Sequence, residues 1–404
     1  MGEVILEQVG SRRTEREFLR FGREIYRLYP HYVTPLDDDI EGVFDPLRNK
    51  LFDGGEAVRW IARDPSGRTV GRIAAFYNRA QAAIEEQPTG GVGFFESVDS
   101  QEVADTLFDA AHEWLAERGM EAMDGPVNFG SRDMWWGLLV DGFDIDPLYG
   151  NPYNPPYYRT LFENYGFREY FNQHTYERDL DPEHINPSVI ERVERLKAEG
   201  AYTFEHIDTK QMKAVPEDFR KVYNRAWSSF TGVKQLSKEE VEELFKTLRP
   251  IIDPRLIYFA RKDGEPVGFF VMIPDLNRVI KSFRGHFGTV NKLRLLWKLK
   301  TGRCNRIFAM IFGVDPDYQR RGIEAGMIMA FGQTVRRERL PYRNMELAWV
   351  GDFNPVMMRV VEQYVEARRI KRHITYRYLF DRNREFRRCP SLKLTRRPSE
   401  TEVI

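Results

Sequence analysis

The sequence predicts an α/β protein made of two similar halves in tandem, and three observations carry that reading. First, "WIARDPSGRTVGRIAAF" near residue 60 and "YFARKDGEPVGFFVMI" near residue 258 share one pattern. Each is a β-rich run, a polar turn containing Gly, then Val-Gly and a second β-rich run, which is the signature of a hairpin. Second, Asn154-Pro155 in "YNPPYYRTLFENYGFREYFNQHTYERDL" recurs as Asn354-Pro355 in "FNPVMMRVVEQYVEARRIKRHITYRYLF" at nearly the same offset. Both open a helical pattern followed by an aromatic-rich strand candidate. Third, the apolar run Ile307-Phe308-Ala309-Met310-Ile311-Phe312, a Pro/Asp turn and "GIEAGMIMAFGQTVRRERL" read as strand, loop and helix. Two landmarks repeated at one offset imply a duplicated domain.

The elements follow in the same order in each half. The first runs helix (Thr14 to Leu28), strands (Ala57 to Arg63, Thr69 to Tyr77, Val92 to Val98), helix (Gln101 to Arg118), strand (Ala122 to Val127), helix (Pro156 to Tyr165) and strand (Thr175 to Asp179). In the second, helices Glu217 to Ser229 and Lys238 to Leu248 precede strands Leu256 to Arg261 and Pro266 to Ile273. The strand at Ile307, the helix from Gly322, a strand Met345 to Val350, the helix after Asn354 and a strand Ile374 to Phe380 complete it. Residues 181–200 read as a polar, amphipathic connector helix, so the expected domains are 1–180 and 201–384, with a basic tail over 385–404.

Bulk properties agree with two domains, because 404 residues exceed what one core usually serves. The formal charge of zero argues against a surface that tracks nucleic acid throughout, while permitting a local basic patch. Cys304 and Cys389 are too few for a disulfide framework or a zinc site, and the histidines lack metal-ligand spacing, so no metal is expected. The start "MGEVILEQVGSRRTEREF" lacks the basic and long apolar regions of a secretory signal. The longest apolar runs are strand-sized. A cytoplasmic protein without stable membrane insertion is the expectation.

The apolar strand, the Gln319-Arg320-Arg321-Gly322 turn and the helix, placed after a hairpin, resemble motif A of the GCN5-related N-acetyltransferases, the GNAT superfamily. "NMELAWV" looks like the family's fifth strand, and Asn354 like the start of the helix after it. The resemblance implies two tandem GNAT-like domains, each a mixed, largely antiparallel sheet flanked by helices. It also implies a turn whose backbone N–H groups, at the positive end of a helix, hold the pyrophosphate of acetyl-CoA or another acyl-CoA. Gly322 would let the backbone approach the phosphates, and Arg320 and Arg321 add charge. The implied cofactor-binding residues are Phe312, Gly313, Val314, Gln319, Arg320, Arg321, Gly322, Ile323, Ala325, Gly326 and Asn354. The implied activity is transfer of an acyl group, most simply acetyl, to a small-molecule or peptide amine, with strand N–H groups near Phe312 to Val314 facing the developing oxyanion. Glu346 is the candidate general base. Tyr364 is the candidate general acid, one turn beyond Val361, where many members of the family carry Tyr.

Two departures from the family pattern matter. Glu324 occupies the sixth position of the turn, where Gly or Ala is usual. The first half reads "GFFESVDSQEVADTL" at the corresponding place, with Glu96, Asp99 and Glu102 and no basic residue, so the acyl-CoA site is expected in the second half. The tandem layout, with "GPVNFGSRDMWWGLLVDGFDIDPLYGNPYNPPYYRTLFENYGF" in the first half, resembles a bacterial GNAT-like family whose substrates are not assigned.

Two further stretches suggest partners. From Leu276 to Val314 stand Arg278, Lys281, Arg284, Lys292, Arg294, Lys298, Lys300, Arg303 and Arg306 without an acidic residue, interleaved with Phe283, Phe287, Leu293, Leu295, Leu296 and Trp297. Such a segment could meet an anionic partner: a tRNA, an acyl carrier protein, a membrane surface or the coenzyme's ribose phosphate. The irregular stretch after Gly125 offers Asn128, Ser131, Arg132, Trp135, Trp136, Tyr149, Asn154, Tyr157 and Tyr158 as hydrogen-bonding and aromatic walls of a substrate groove. Two alternatives remain at this level: a Fem-like aminoacyl or acyl-carrier transferase, and a non-catalytic binding protein with the GNAT fold.

Overall fold

The computed structural model of the chain describes residues 4–180, 186–200, 202–208, 213–227, 235–301 and 304–392. The start of the connector, the predicted helix end at Ser229, Arg303 and the tail beyond 392 lie outside the described residues. The first half contributes strands β1 (Ile5–Gln8), β2 (Gly55–Arg63), β3 (Thr69–Asn78), β4 (Thr89–Ser97), β5 (Ala122–Gly125), β6 (Leu138–Asp141) and β7 (Arg168–Asp179). The second contributes β8 (Tyr202–His206), β9 (Ile257–Lys262), β10 (Glu265–Pro274), β11 (Arg306–Val314), β12 (Asn344–Gly351) and β13 (Arg368–Leu379). All of them join one sheet, in the order β1-β2-β3-β4-β5-β13-β7-β12-β11-β10-β9-β8, with β6 pairing to β13. Among these pairings β4–β5 and β11–β12 are parallel and the others antiparallel. The sheet is therefore mixed and largely antiparallel.

Periodicity explains the flanking helices. In Gln101–Ala116 the Ser100 side chain caps the first turn, and Val103, Ala104, Leu107, Phe108, Ala111 and Leu115 form the buried stripe. Its second-half counterpart, Ile323–Glu338, buries Ile323, Met327, Phe331 and Val335 against the sheet. The two halves carry compensating insertions. Residues 275–305 lie between β10 and β11, where the first half has a short connection, and residues 126–157 lie between β5 and the helix Tyr158–Tyr165. They nearly cancel in length, which is why the hairpin and Asn-Pro landmarks keep one offset.

The last strand of each sequence half completes the sheet of the other. β13 lies between β5 and β7, and β7 lies between β13 and β12, with Ile374 opposite Asn172 and Arg377 opposite Arg168. The strands begin seven and six residues earlier than the sequence pattern suggests, at Arg168 and Arg368, because pairing across the halves extends them. The first helix ends at Glu24 rather than Leu28. Beyond it Tyr26 stacks on Tyr32, with ring centroids 3.8 Å apart, and both pack against Tyr153, a tertiary contact that local propensity does not contain.

A buried ion cluster ties these strands together. Lys371 of β13 meets Glu346 of β12 at 2.5 Å, and Arg306 of β11 lies 3.1 Å from the same carboxylate and 2.6 Å from Asp275 at the end of β10. Both Lys371 and Arg306 also reach the Asp146 carbonyl of the first-half insertion. Next to the cluster His373 is buried, with Nε2 3.3 Å from the Pro152 carbonyl. Burial and the Lys371 charge push its imidazole pKa from 6.5 down to about 3. The folded state thus keeps the ring neutral where the unfolded chain binds a proton below pH 6.5. Stability contributed by this depressed pKa is present above 6.5 and lost as pH falls towards 3, by about 1.4 kcal/mol per unit. Urea titrations between pH 7 and 4 should show this slope in the wild type and a shallower one in His373→Gln.

Candidate acyl-donor cleft

The site begins where two parallel strands part. β11 and β12 pair from Arg306–Asn344 to Ala309–Leu347 and then separate, β12 continuing against β7 and β11 against β10. The cause lies in β11: its pairing to β10 steps from Ile311–Val271 to Ala309–Met272, so Met310 is an extra residue, and a bulge of this kind bends and twists a strand. The first half repeats the geometry. β4 and β5 pair from Thr89–Ala122 to Gly91–Asp124, and β4 carries an extra residue beside Phe94, whose φ is 50°.

The two wedges differ in what fills them. In the first half the Val127 N–H donates to the Val92 carbonyl at 2.8 Å, and a Cβ on Gly93 would stand 1.9 Å from the Val127 oxygen. Gly93 is required for that approach, and Phe129 stacks on Phe76 above it. The chain has closed its own first wedge. The second-half wedge leads instead into an apolar cleft. Its walls are Phe270 and Phe312 from β10 and β11, Phe331 and Gly332 from the helix Ile323–Glu338, Met345 and Leu347 from β12, and Val361 and Tyr364 from the π-helical turn Val360–Tyr364.

The predicted turn stands at the head of the same helix. Gln319, Arg320 and Arg321 are exposed, and Gln319 Nε2 donates to the Val314 carbonyl at 3.2 Å. Arg320 and Gly322 take φ values of 64° and 98°, a left-handed backbone natural for Gly and costly for Arg. Buried Asp315 anchors the turn's start: its N–H donates to Val267, and its carboxylate lies 2.9 Å from Arg225. The connector helix Pro187–Glu199 packs against the turn, since a Cβ on Gly322 would lie 3.4 Å from Arg192 Cβ and from Leu196 Cδ1. Arg192 covers the Tyr364 ring at 4.2 Å and donates to its hydroxyl. It also faces Glu324, whose pKa is raised by burial against the pull of this guanidinium. The carboxylate that breaks the family pattern therefore has a cation beside it.

The structure separates the remaining predicted residues. Ile323 packs on Gly268, Ala325 on Val189 and Val193 of the connector, and a Cβ on Gly326 would strike the Phe204 ring at 2.3 Å. These residues seat the helix. Gly313 lies under Phe269 and Trp227. Asn354 Oδ1 accepts from the Met357 N–H at 3.2 Å and caps the helix Pro355–Arg359, whereas Asn154 is bound to both backbone groups of Leu139. Tyr364 reaches the cleft and Glu346 does not. Met345 and Leu347 line the cleft, so alternation turns Glu346 to the opposite face of the sheet, into the ion cluster. Burial raises its pKa while Lys371 and Arg306 pull it down.

Of the first-half groove residues, Trp135, Asn154 and Tyr158 line a second cleft with Tyr26, Tyr32, Arg72 and Glu96. Asn128 and Trp136 do not line it, Tyr149 donates to Asp39, and Tyr157 donates to the Ser97 carbonyl. Buried Glu96 accepts from the Tyr26 and Tyr158 hydroxyls at 2.7 Å each and lies 3.3 Å from Arg72. Sequence reasoning missed Tyr26, Tyr32 and Arg72. The available signal was an opposite-charge pair, Arg72 and Glu96, placed inside two adjacent apolar strands where they prove to be direct register partners.

This architecture, two wedges in one continuous sheet with a turn and helix at the open wedge, is the tandem GNAT fold. A tandem GNAT protein from the clavulanic acid biosynthesis pathway superimposes with a TM-score of 0.53 at 13% identity, over 94% of this chain and 99% of that one. In sequence, the bacterial ceramide synthase of Caulobacter vibrioides is 28% identical over 340 residues, covering 82% of this chain and 86% of the relative. Protein YghO of Escherichia coli is 23% identical over 363 residues, 89% and 92% of the two chains. No protein-family model matches the chain.

Gly332 offers a direct probe of the cleft, because a Cβ there meets nothing within 4 Å. Gly332→Phe should place its ring in the cleft and fold as the wild type does, with an unchanged circular dichroism spectrum. Its thermal stability should match or exceed the wild type, since replacing a helical Gly gains up to about 1 kcal/mol.

Proposed function

We propose that the protein is an N-acyltransferase that moves a long acyl group from acyl-coenzyme A to the amine of a lipid acceptor. The observation that carries this reading is the open wedge with its apolar cleft in the second half, beside a closed counterpart in the first. An acetyl group would leave such a cleft empty. A long chain gains about 0.8 kcal/mol for each methylene removed from water, and the cleft's lining is mostly apolar. The similarity to a ceramide synthase supports the acceptor class, a ceramide being the amide of a fatty acid with a long-chain amino alcohol.

The thioester of acyl-coenzyme A supplies an activated acyl group. In this reading the backbone N–H groups of the Gln319–Gly322 turn, the start of the helix and the exposed Arg320 and Arg321 attract the pyrophosphate. Along β11 only alternate N–H groups bond to β10, so beyond Ala309 the others face the wedge, where they polarise a carbonyl. Tyr364 is the hydroxyl at the cleft able to return a proton to a leaving thiolate, with Arg192 orienting it. The acceptor would approach from the opposite face, where Leu148 of the first-half insertion packs near Met310 and Ala348 at the mouth of the wedge. Glu346 lies on that face and, held by Lys371 and Arg306, orders the mouth. Rate enhancement then rests largely on positioning.

Mass spectrometry of reactions with palmitoyl-CoA and sphinganine should detect the N-palmitoyl amide. The wild type should prefer palmitoyl-CoA to acetyl-CoA by about 100-fold in kcat/KM. Arg321→Glu should raise KM for the donor about tenfold with little change in kcat. Equal use of acetyl-CoA, or no amide with any long-chain amine, would contradict the reading.

A further inference from the structure

The insertion over residues 275–305 has no equivalent in the first half, and its outer helix presents two features together. The inner side of Thr289–Lys300 is anchored: Leu295 is buried with Val279, Ile280 and Phe283 and with Val33 and Leu36 of the first half. The insertion is held further by the Asp37 N–H donating to the Gly285 carbonyl at 3.0 Å and by Lys281 paired with Asp146 at 2.8 Å. On the outer side Val290, Leu293 and Trp297 are 71%, 64% and 52% exposed. Their spacing at i, i+3 and i+7 places them on one stripe, turned away from Leu295.

Charge surrounds that stripe. Lys292, Arg294 and Lys300 on the helix and Arg278 and Arg284 before it are exposed, and no acidic residue occurs from 276 to 301. Three other described cations of the basic sequence run are used inward, Lys281 by Asp146, Lys298 by the Val279 carbonyl and Arg306 by the ion cluster, while Lys292 and Arg294 lie over the Phe287 and Phe283 rings. We infer that this helix docks on the surface of an anionic lipid bilayer, with Val290, Leu293 and Trp297 below the headgroups and the cations among the phosphates. A nucleic acid would satisfy the charges but leave the apolar stripe in water, whereas the bilayer interface takes both. Trp is well suited to that depth. The attachment is peripheral, since no helix among the described residues is long and apolar enough to cross a membrane. The inference rests on this surface alone and stands whether or not the chain transfers acyl groups.

Flotation with vesicles of phosphatidylcholine alone, and with about 30% phosphatidylglycerol added, tests it on the full chain. The wild type should float with the anionic vesicles, much less with the neutral ones, and less as salt rises. Leu293→Ser/Trp297→Ser and Arg278→Glu/Lys300→Glu should each weaken binding roughly tenfold or more, with circular dichroism spectra that show the fold retained. The inference is overturned if the wild type stays with the soluble fraction at low salt. Wild-type binding by either double variant, or retention on single-stranded RNA without vesicle binding, overturns it as well.

Discussion

The antiparallel pairing of β7 with β13 is the constraint on which the rest of the structure depends. Without it there would be two sheets, one ending at β13 and the other at β7, and a bare edge invites unwanted pairing. With it the sheets become one, and Lys371 is carried across β7 to Glu346. The ion cluster draws one charge each from β11, β12, β13 and the end of β10, so a slip of one residue in any of these strands would bury a charge without its partner. Buried pairs of this kind add little net stability, yet losing one member is costly. Their effect here is to specify register, and register sets where β11 and β12 part.

From that shared frame the halves diverge by a few residues. Both have a bulge in the fourth strand and a wedge beyond it. Gly93 admits the Val127 backbone into one wedge and closes it, while in the other the chain after β12 turns directly into the helix capped by Asn354 and leaves it open. Glu96, read from the sequence as part of an acidic turn, instead lies buried in β4 against Arg72, which leaves Asp99 and Glu102 at the head of the helix Gln101–Ala116. Room released in the first half has been used for a loop that reaches the second, where Leu148 and Asp146 meet the sheet.

Much of the fold was legible in the sequence because its signals are local. Hairpins show as alternation around a turn, the amphipathic helices show their stripe, and the duplicated landmarks survive because the two insertions offset each other. The exchange of β7 and β13 was not legible: aromatic alternation marks each as a strand without naming its neighbour. The cleft was hidden for a related reason. Phe331, Val335 and Leu347 line open space, yet in sequence they are indistinguishable from residues that fill a core. Glu346 read as a candidate base because its partners stand 25 and 40 positions away in the chain, on β13 and β11, where only the folded sheet brings them together.

The central claim is that the second-half wedge, and not the first-half cleft, receives a long acyl chain. Photo-crosslinking with an acyl-CoA bearing a diazirine near its terminal methyl, followed by peptide mapping, tests this most directly. The account predicts labels on residues 328–335 and 357–365, competed by palmitoyl-CoA. Labels concentrated around Trp135, Tyr153 and Tyr158, or none that palmitoyl-CoA displaces, would contradict it.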